Sequence, residues 1–290
     1  MSESRPFGHG EFARGESAEI DRLGAEVRHL RARLRAHPLI SEAQGILRER
    51  YALPDSESAF SLLQRASQHS NVKLRTLAGA VTLTPRPDPG APLWFPRQAR
   101  SSEPRLTFDR EGRARSGDRG AVLGAVLSRT LVVVDADMGN VQTADRAEGG
   151  LRIEKHTGLS AEFVDFFGHV GIEGTSCARA AREVTQVTVR DVATDPVFSE
   201  PARRVILREG SLACHSAPLT SASGRCVGMV SAHLDRTIDG LTPAQVAALD
   251  LIGGEAGAWL DWYGRTVVVS ALEHLHALGR RHRGRRGSRS

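Results

Sequence analysis

Thiols, and a set of cations interleaved with hydrogen-bonding side chains, are the residues of this chain whose types and spacing could do chemistry. Cys177, Cys214 and Cys226 are the only cysteines. They are too few and too scattered for a disulfide framework, and no CxxC pair suggests a zinc site, so reduced thiols are expected. Cys214 precedes His215, and a nearby imidazolium can lower a thiol pKa. Adjacent residues of a strand point to opposite faces, however, which argues against direct pairing. The second set is Arg48, Arg65, Lys73 and Arg75, which could meet phosphates, with Ser67, Gln68 and Asn71 placed to reach bases or ribose. Each has a plainer role as well. Asn71 can cap a helix, Ser67 can hydrogen-bond at a helix end, and an exposed arginine can simply solubilise. No haem attachment motif, glycine-rich phosphate loop or metal-ligand cluster is present, so no metal, cofactor or catalytic residue is expected.

The elements that must position these residues fall into two blocks of opposite charge. The net charge of +5 over 290 residues is local in origin: residues 280–290 hold six arginines and no acid. Residues 20–82 carry ten Lys/Arg against six Asp/Glu, whereas residues 122–263 carry twelve against eighteen. The first block is therefore the better candidate for contact with a polyanion. No apolar run reaches the roughly 18 to 20 residues of a membrane helix, and the N-terminus lacks a secretory h-region, so a cytoplasmic protein with no membrane contact is expected.

In the first block, Ile20, Leu23, Val27, Leu30 and Leu34 follow the a/d spacing of a coiled coil. Two heptads are short, and a helix packed within its own monomer fits equally. Pro38 can open a fresh helical turn whose apolar face continues through Leu39, Ala43 and Leu47 and ends at Tyr51–Pro54. Asp55 is a plausible N-cap for a helix burying Ala59, Phe60, Leu62, Leu63 and Ala66, and Asn71 for a third through Leu74, Leu77 and Val81. The stretch from Ile40 to Val81, with Ala43, Gly45, Ala59-Phe60, Leu63, Ser67, Asn71, Lys73, Leu74, Arg75 and Ala78 in order, resembles an ANTAR domain. That resemblance implies a coiled-coil dimer presenting two three-helix heads to paired stem-loops in leader RNA. The RNA-contact set it suggests is Gln44, Arg48, Arg65, Ser67, Gln68, Asn71, Lys73 and Arg75. Gln44 stands where the family usually has Lys or Arg.

Residues 84–119, rich in Pro, Arg, Gly and Ser, read as a linker, whose Trp94 and Phe95 could dock onto a neighbouring domain, although isolated aromatics in such a stretch more often stay half exposed. The second block begins with an apolar helix at 121–131. A hairpin across GNVQTADRAEGGLRIEKHTG, two short helices at AEFVDFFGHV and SCARAARE, strands at QVTVRDV, LACHSAPL and RCVGMVSAHL, and a long helix from Thr242 follow. The late strands are joined too tightly for crossover helices, which favours an α/β sensor with an antiparallel sheet over a Rossmann fold. Residues 122–263 are similar to GAF domains, notably the subfamily common in actinobacterial signalling proteins, on the runs GNVQTAD, FVDFF, DVATDPVF and SAPLTSASGRCVGMVSAH. The usual order puts GAF first, and this chain reverses it. The resemblance implies a small-molecule effector bound between the sheet and the two short helices, with Phe163, Phe166, Phe167, Cys177, Cys214 and His215 as candidate lining. Phe and Cys are also ordinary core residues.

The expected organisation is a disordered 1–19, a coiled coil and ANTAR head at 20–83, a linker at 84–119, a GAF sensor at 120–264, and a helix extension with a disordered basic tail at 265–290. The expected protein is multidomain, with an all-α head and an α/β sensor. It is expected to act as a homodimeric RNA-binding antitermination regulator rather than an enzyme. Trp259, Trp262 and Leu272 of the long C-terminal helix are expected to help dimerisation. Two competing classes are a thiol-dependent methionine sulfoxide reductase of the GAF fold and an interaction protein whose head no longer binds RNA.

Overall fold

The computed structural model describes residues 38–88, 91–96, 101–109, 117–171 and 173–287. The coiled-coil positions Ile20 to Leu34, the N-terminal segment 1–19 and the last three residues lie outside them. Three short helices come first: α1 (38–51), α2 (Ser56–Ser70) and α3 (Leu74–Leu83). Helix α1 stops at Tyr51 because Ala52 takes a left-handed conformation at φ 51° and Pro54 follows. Asp55 then caps α2, its Oδ1 accepting from the Ser58 N–H at 2.7 Å, an arrangement that stabilises a helix start by about 1 kcal/mol. Asn71 does not start α3 as the sequence suggests. It ends α2 in the left-handed conformation, at φ 49°, with its backbone N–H donating to the Gln68 and Ser67 carbonyls. Asparagine tolerates that conformation better than most residues.

The sensor is a six-stranded antiparallel sheet in the order β3-β2-β1-β6-β5-β4. Its strands are β1 (Met138–Ala144), β2 (Leu151–Thr157), β3 (His169–Val170), β4 (Val187–Val189), β5 (Ala213–Thr220) and β6 (Cys226–Leu234). Helices α4 (Arg119–Val134) and α8 (Pro243–Tyr263) cover one face, and α5 (Ala161–Phe167), α6 (Ser176–Glu183) and α7 (Glu200–Arg208) belong to the other. Strand β3 and helix α7 have no counterpart in the sequence reading. A Cβ on Gly257 of α8 would lie 2.3 Å from the Thr220 backbone, so only glycine lets this helix sit so close to β5.

After Tyr263 the helical path continues through a π turn at Gly264–Val268 into α9 (Val269–Gly287). The basic stretch 280–287 thus extends a helix instead of forming the expected disordered tail. Arginine is a good helix former, and cations are favoured near a helix C-terminus. Helix α9 packs against α2 and α3, and its Ala271, Leu272 and Leu275 join Leu47, Leu62, Leu63 and Leu77 in one core with Trp259 and Trp262. This intramolecular burial corrects the expectation that Trp259, Trp262 and Leu272 serve a dimer: none is more than 8% exposed. His276 is hydrogen-bonded to the Tyr51 hydroxyl at 2.9 Å, deep in the same core.

The described parts of 84–119 also differ from a free linker. Trp94 is buried, with Arg50 stacked 4.6 Å from its ring centroid, and the Glu273 carboxylate accepts from the Trp94 and Phe95 backbone N–H groups at 2.9 and 2.6 Å. Farther on, the Trp259 and Trp262 indoles donate to Glu103 and to the Ser101 carbonyl. The segment straps the two blocks together because indoles and orphan amides both need partners once buried. Among the described residues no helix is long and apolar enough to cross a membrane.

Candidate nucleic-acid interface

The residues singled out in the head separate into three groups. Arg48, Arg65, Gln68 and Asn71 are exposed, Arg65 donating to the Ser61 carbonyl one turn back, at 3.3 Å. Gln44 and Ser67 are committed to the fold. The Gln44 amide donates to the Ser56 carbonyl at 3.1 Å and ties α1 to the start of α2, while the Ser67 hydroxyl donates to the Val72 carbonyl at 2.7 Å. Lys73 and Arg75, at the start of α3, face carboxylates of the sensor.

These carboxylates come from the β1–β2 hairpin. Along β2, Leu151 and Ile153 enter the core beneath α5 and α6, so Arg152 and Glu154 point to the opposite face, toward the head. The β1–β2 register skips Glu154, a bulge of the kind that re-aims side chains. Lys73 pairs with Glu154 at 2.5 Å, and Arg75 with Asp145 at 3.0 Å and Glu148 at 2.6 Å. Arg152 bonds the same two acids, at 3.1 and 2.7 Å. Arg119 closes the network, donating to Glu154, to Thr143 and across the junction to Thr76 of α3, at 3.0, 2.9 and 3.3 Å.

Burial alone would raise the Asp145 carboxyl, but hydrogen bonds from Arg75, the Glu148 backbone and Arg152 outweigh it and bring the pKa down to about 2. Glu154 is likewise lowered, its burial overcome by Arg119 and Lys73. Burial works to lower Arg75, and the Glu148 and Asp145 carboxylates more than reverse it. The two ion pairs differ in weight. Lys73 keeps 61% of its side chain in solvent, whereas Arg75 keeps 19%, and exposed pairs contribute little.

The sensor candidates also separate. Phe163, Phe167, Cys177 and Cys214 pack in one core under α5 to α7. Phe166 is 44% exposed. His215 lies on the opposite face of β5 from Cys214, hydrogen-bonded to Thr188 and Gln186 at 2.9 and 2.8 Å, so the six residues do not converge. Sequence reading missed the polar patch beside the cysteines. Ser176, Ser216 and Ser231 form a buried hydrogen-bonded chain with steps of 3.1 and 2.9 Å, and Ser176 also meets the Cys214 thiol at 3.4 Å. Polar residues alternating through GNVQTA and ACHSAP were its available signal. Burial pushes the Cys214 thiol up to about 12 and raises Cys177 and Cys226. Burial also lowers His215 and His233 to about 4, so both are neutral at pH 7.

Comparison with known proteins gives two family matches: an ANTAR domain over residues 28–81 and a GAF domain over residues 62–258. Both therefore claim residues 62–81. No curated protein matches the chain. Solved structures similar to it include a domain of a putative two-component sensor histidine kinase from Sinorhizobium meliloti 1021, 20% identical over 50% of this chain and 92% of that one, with a TM-score of 0.42. The GAF domain region of a putative membrane protein from Geobacter sulfurreducens PCA is 17% identical over 50% and 95%, at 0.42. A free methionine-R-sulfoxide reductase from Neisseria meningitidis is 15% identical over 51% and 82%, at 0.39. The GAF match spans more than half of the chain, and with the ANTAR match beside it the conclusion is plain: the chain belongs to the GAF domain family and joins its GAF domain to an ANTAR domain on the N-terminal side.

Proposed function

We propose that this protein is an RNA-binding regulator of transcription antitermination. The head meets paired stem-loops in leader RNA and keeps a terminator from forming, and the GAF domain supplies the small-molecule input. The observation carrying this reading is the ANTAR match over residues 28–81, supported by the exposed cations Arg48 and Arg65 beside Gln68 and Asn71. Phosphate contacts would position the RNA, and the amides would read unpaired bases. Paired stem-loops call for two heads, and hence for a homodimer. The reductase reading meets thiols that burial holds protonated, whereas sulfoxide chemistry needs a thiolate. The interaction-protein reading draws its support from Gln44 and Ser67, each of which gives a side-chain donor to a backbone carbonyl of the head.

Crosslinking the full-length protein to RNA in cells, then sequencing what is attached, tests the proposal. Paired hairpins just upstream of terminators are the expected yield. Binding to such an RNA should weaken in the Arg48→Ala, Arg65→Ala double variant, with the salt dependence flattened by roughly 0.7 to 0.9 for each lost phosphate contact. Unstructured RNA of no common type, or unchanged binding by the double variant, would overturn the reading. A monomer mass in sedimentation would remove the paired heads.

A further inference from the structure

A cavity of about 740 Å³ opens where α3, the β1–β2 hairpin and the π turn meet. Its size falls within the roughly 300 to 1,000 Å³ of small-ligand sites. One wall is apolar, built from Leu83 of the head with Leu260, Val268 and Leu272 of the α8–α9 path. Arg75, Arg119, Arg146 and Arg152 line the cavity from α3, α4 and the hairpin beside Asp145 and Glu154, and Arg265, paired with Asp261, lines it from the π-turn side. Arg146, exposed on the hairpin turn, enters none of the ion pairs described above. Arg119 and Arg152 each spend only part of their donor set. Arg119 uses Nη1 and Nη2, and Arg152 uses Nε and Nη2, out of five N–H groups per guanidinium. The π turn adds room, since a Cβ on Gly264 would meet nothing within 4 Å, and such turns recur at functional sites.

We propose that this junction cavity is a binding site for an amphipathic organic anion, an apolar body ending in a carboxylate. The body is desolvated against the leucine wall, and the carboxylate takes charge-assisted bonds from the arginines. The head closes the cavity with Arg75, Thr76, Gly79, Ala80 and Leu83, so the complete lining exists only while the head is docked on the sensor. A ligand favours the state that binds it, so the anion strengthens docking. In the docked state Arg75 is covered by Asp145 and Glu148, and the anion and RNA therefore oppose each other. This second step rests on the RNA-binding reading of the head, whereas the site itself does not.

Calorimetric titration of the full-length protein with decanoate, and with decyltrimethylammonium as the cation of equal chain length, tests the site. Decanoate should bind once per chain with Kd below about 1 mM, and the cation should not. Ala80→Trp, which fills the cavity, should weaken decanoate at least about tenfold. Arg146→Glu, at an exposed position that does not threaten folding, should weaken it by about tenfold as well. No decanoate binding, equal binding of the cation, or wild-type affinity in both variants would overturn the site. Saturating decanoate should then lower RNA affinity by the factor by which RNA lowers decanoate affinity. Decanoate binding with unmoved RNA affinity would overturn the antagonism alone. Failure of the protein to bind RNA at all would sink the functional reading, while the outcome of the decanoate titration would still decide the site.

Discussion

Head and sensor dispose their polar residues in opposite ways. The head keeps Arg48, Arg65, Gln68 and Asn71 in water around an apolar core, whereas the sensor buries His215, His233, Ser176, Ser216 and Ser231 within its sheet layers. Arg48, Arg65 and Gln68 can thus be changed with little effect on folding, and the buried polar groups of the sensor cannot. The junction lies between these extremes. Lys73 and Arg75 belong to the head by sequence and to the sensor's carboxylates by contact, so the availability of these two cations is set by acids 70 to 81 residues away.

The sharpest way to break this contrast is acid. His215 and His233 have folded pKa values near 4, below an ordinary value of 6.5, so the unfolded chain takes up protons first as pH falls. Their contribution is complete above about pH 6.5 and is lost on the way down to about pH 4, at roughly 3 kcal/mol for each histidine. Asp145, with its pKa held down to about 2 from 3.8, adds a second loss below about pH 4. Urea midpoints measured from pH 7.5 to 4.5 should fall steadily, and a flat profile would contradict burial of neutral histidines.

Leu275→Ala comes next, at about 2 to 5 kcal/mol. Leu275 is fully buried in the core that α9 shares with the head. All three tryptophans lie in that core, so their fluorescence in urea reports it directly. An unshifted midpoint would mean that α9 is not part of the head's fold. Cutting away the sensor and α9 would expose Leu47, Leu62 and Leu63, and for that reason the head is best tested in the full chain.

A smaller effect is expected at the junction. Asp145→Asn with Glu154→Gln leaves Arg119 without its carboxylate and Arg75 with Glu148 alone, costing about 1 to 3 kcal/mol of stability. The same change should raise RNA affinity several-fold by loosening the docked head, a gain that an interaction protein without RNA binding would not show. Smallest of all is Arg65→Ala, expected within about 0.5 kcal/mol of wild type in stability while RNA affinity falls. A clear loss of stability there would place Arg65 in the fold instead of at the interface.

Much of the local structure was legible in the sequence. The Asp55 cap, the stop after Tyr51, the β1–β2 hairpin and the opposite faces of Cys214 and His215 all follow from neighbours within a few positions, where capping chemistry and strand alternation act. The ANTAR and GAF marks were legible too, being runs of residues in fixed order. Asn71 was misplaced by one helix because asparagine suits an N-cap and a left-handed C-cap alike, and only the path of the chain chooses between them.

The tertiary structure decided everything that depends on who meets whom. It seated α9 against α2 and α3, buried Trp94 under Arg50, turned Trp259, Trp262 and Leu272 inward, and set Lys73 and Arg75 against Asp145, Glu148 and Glu154. Composition and periodicity state which residues want burial or a counter-charge, because those are properties of side chains. They do not state which distant segment supplies it, since apolar burial is non-directional and ion pairing is indifferent to separation along the chain.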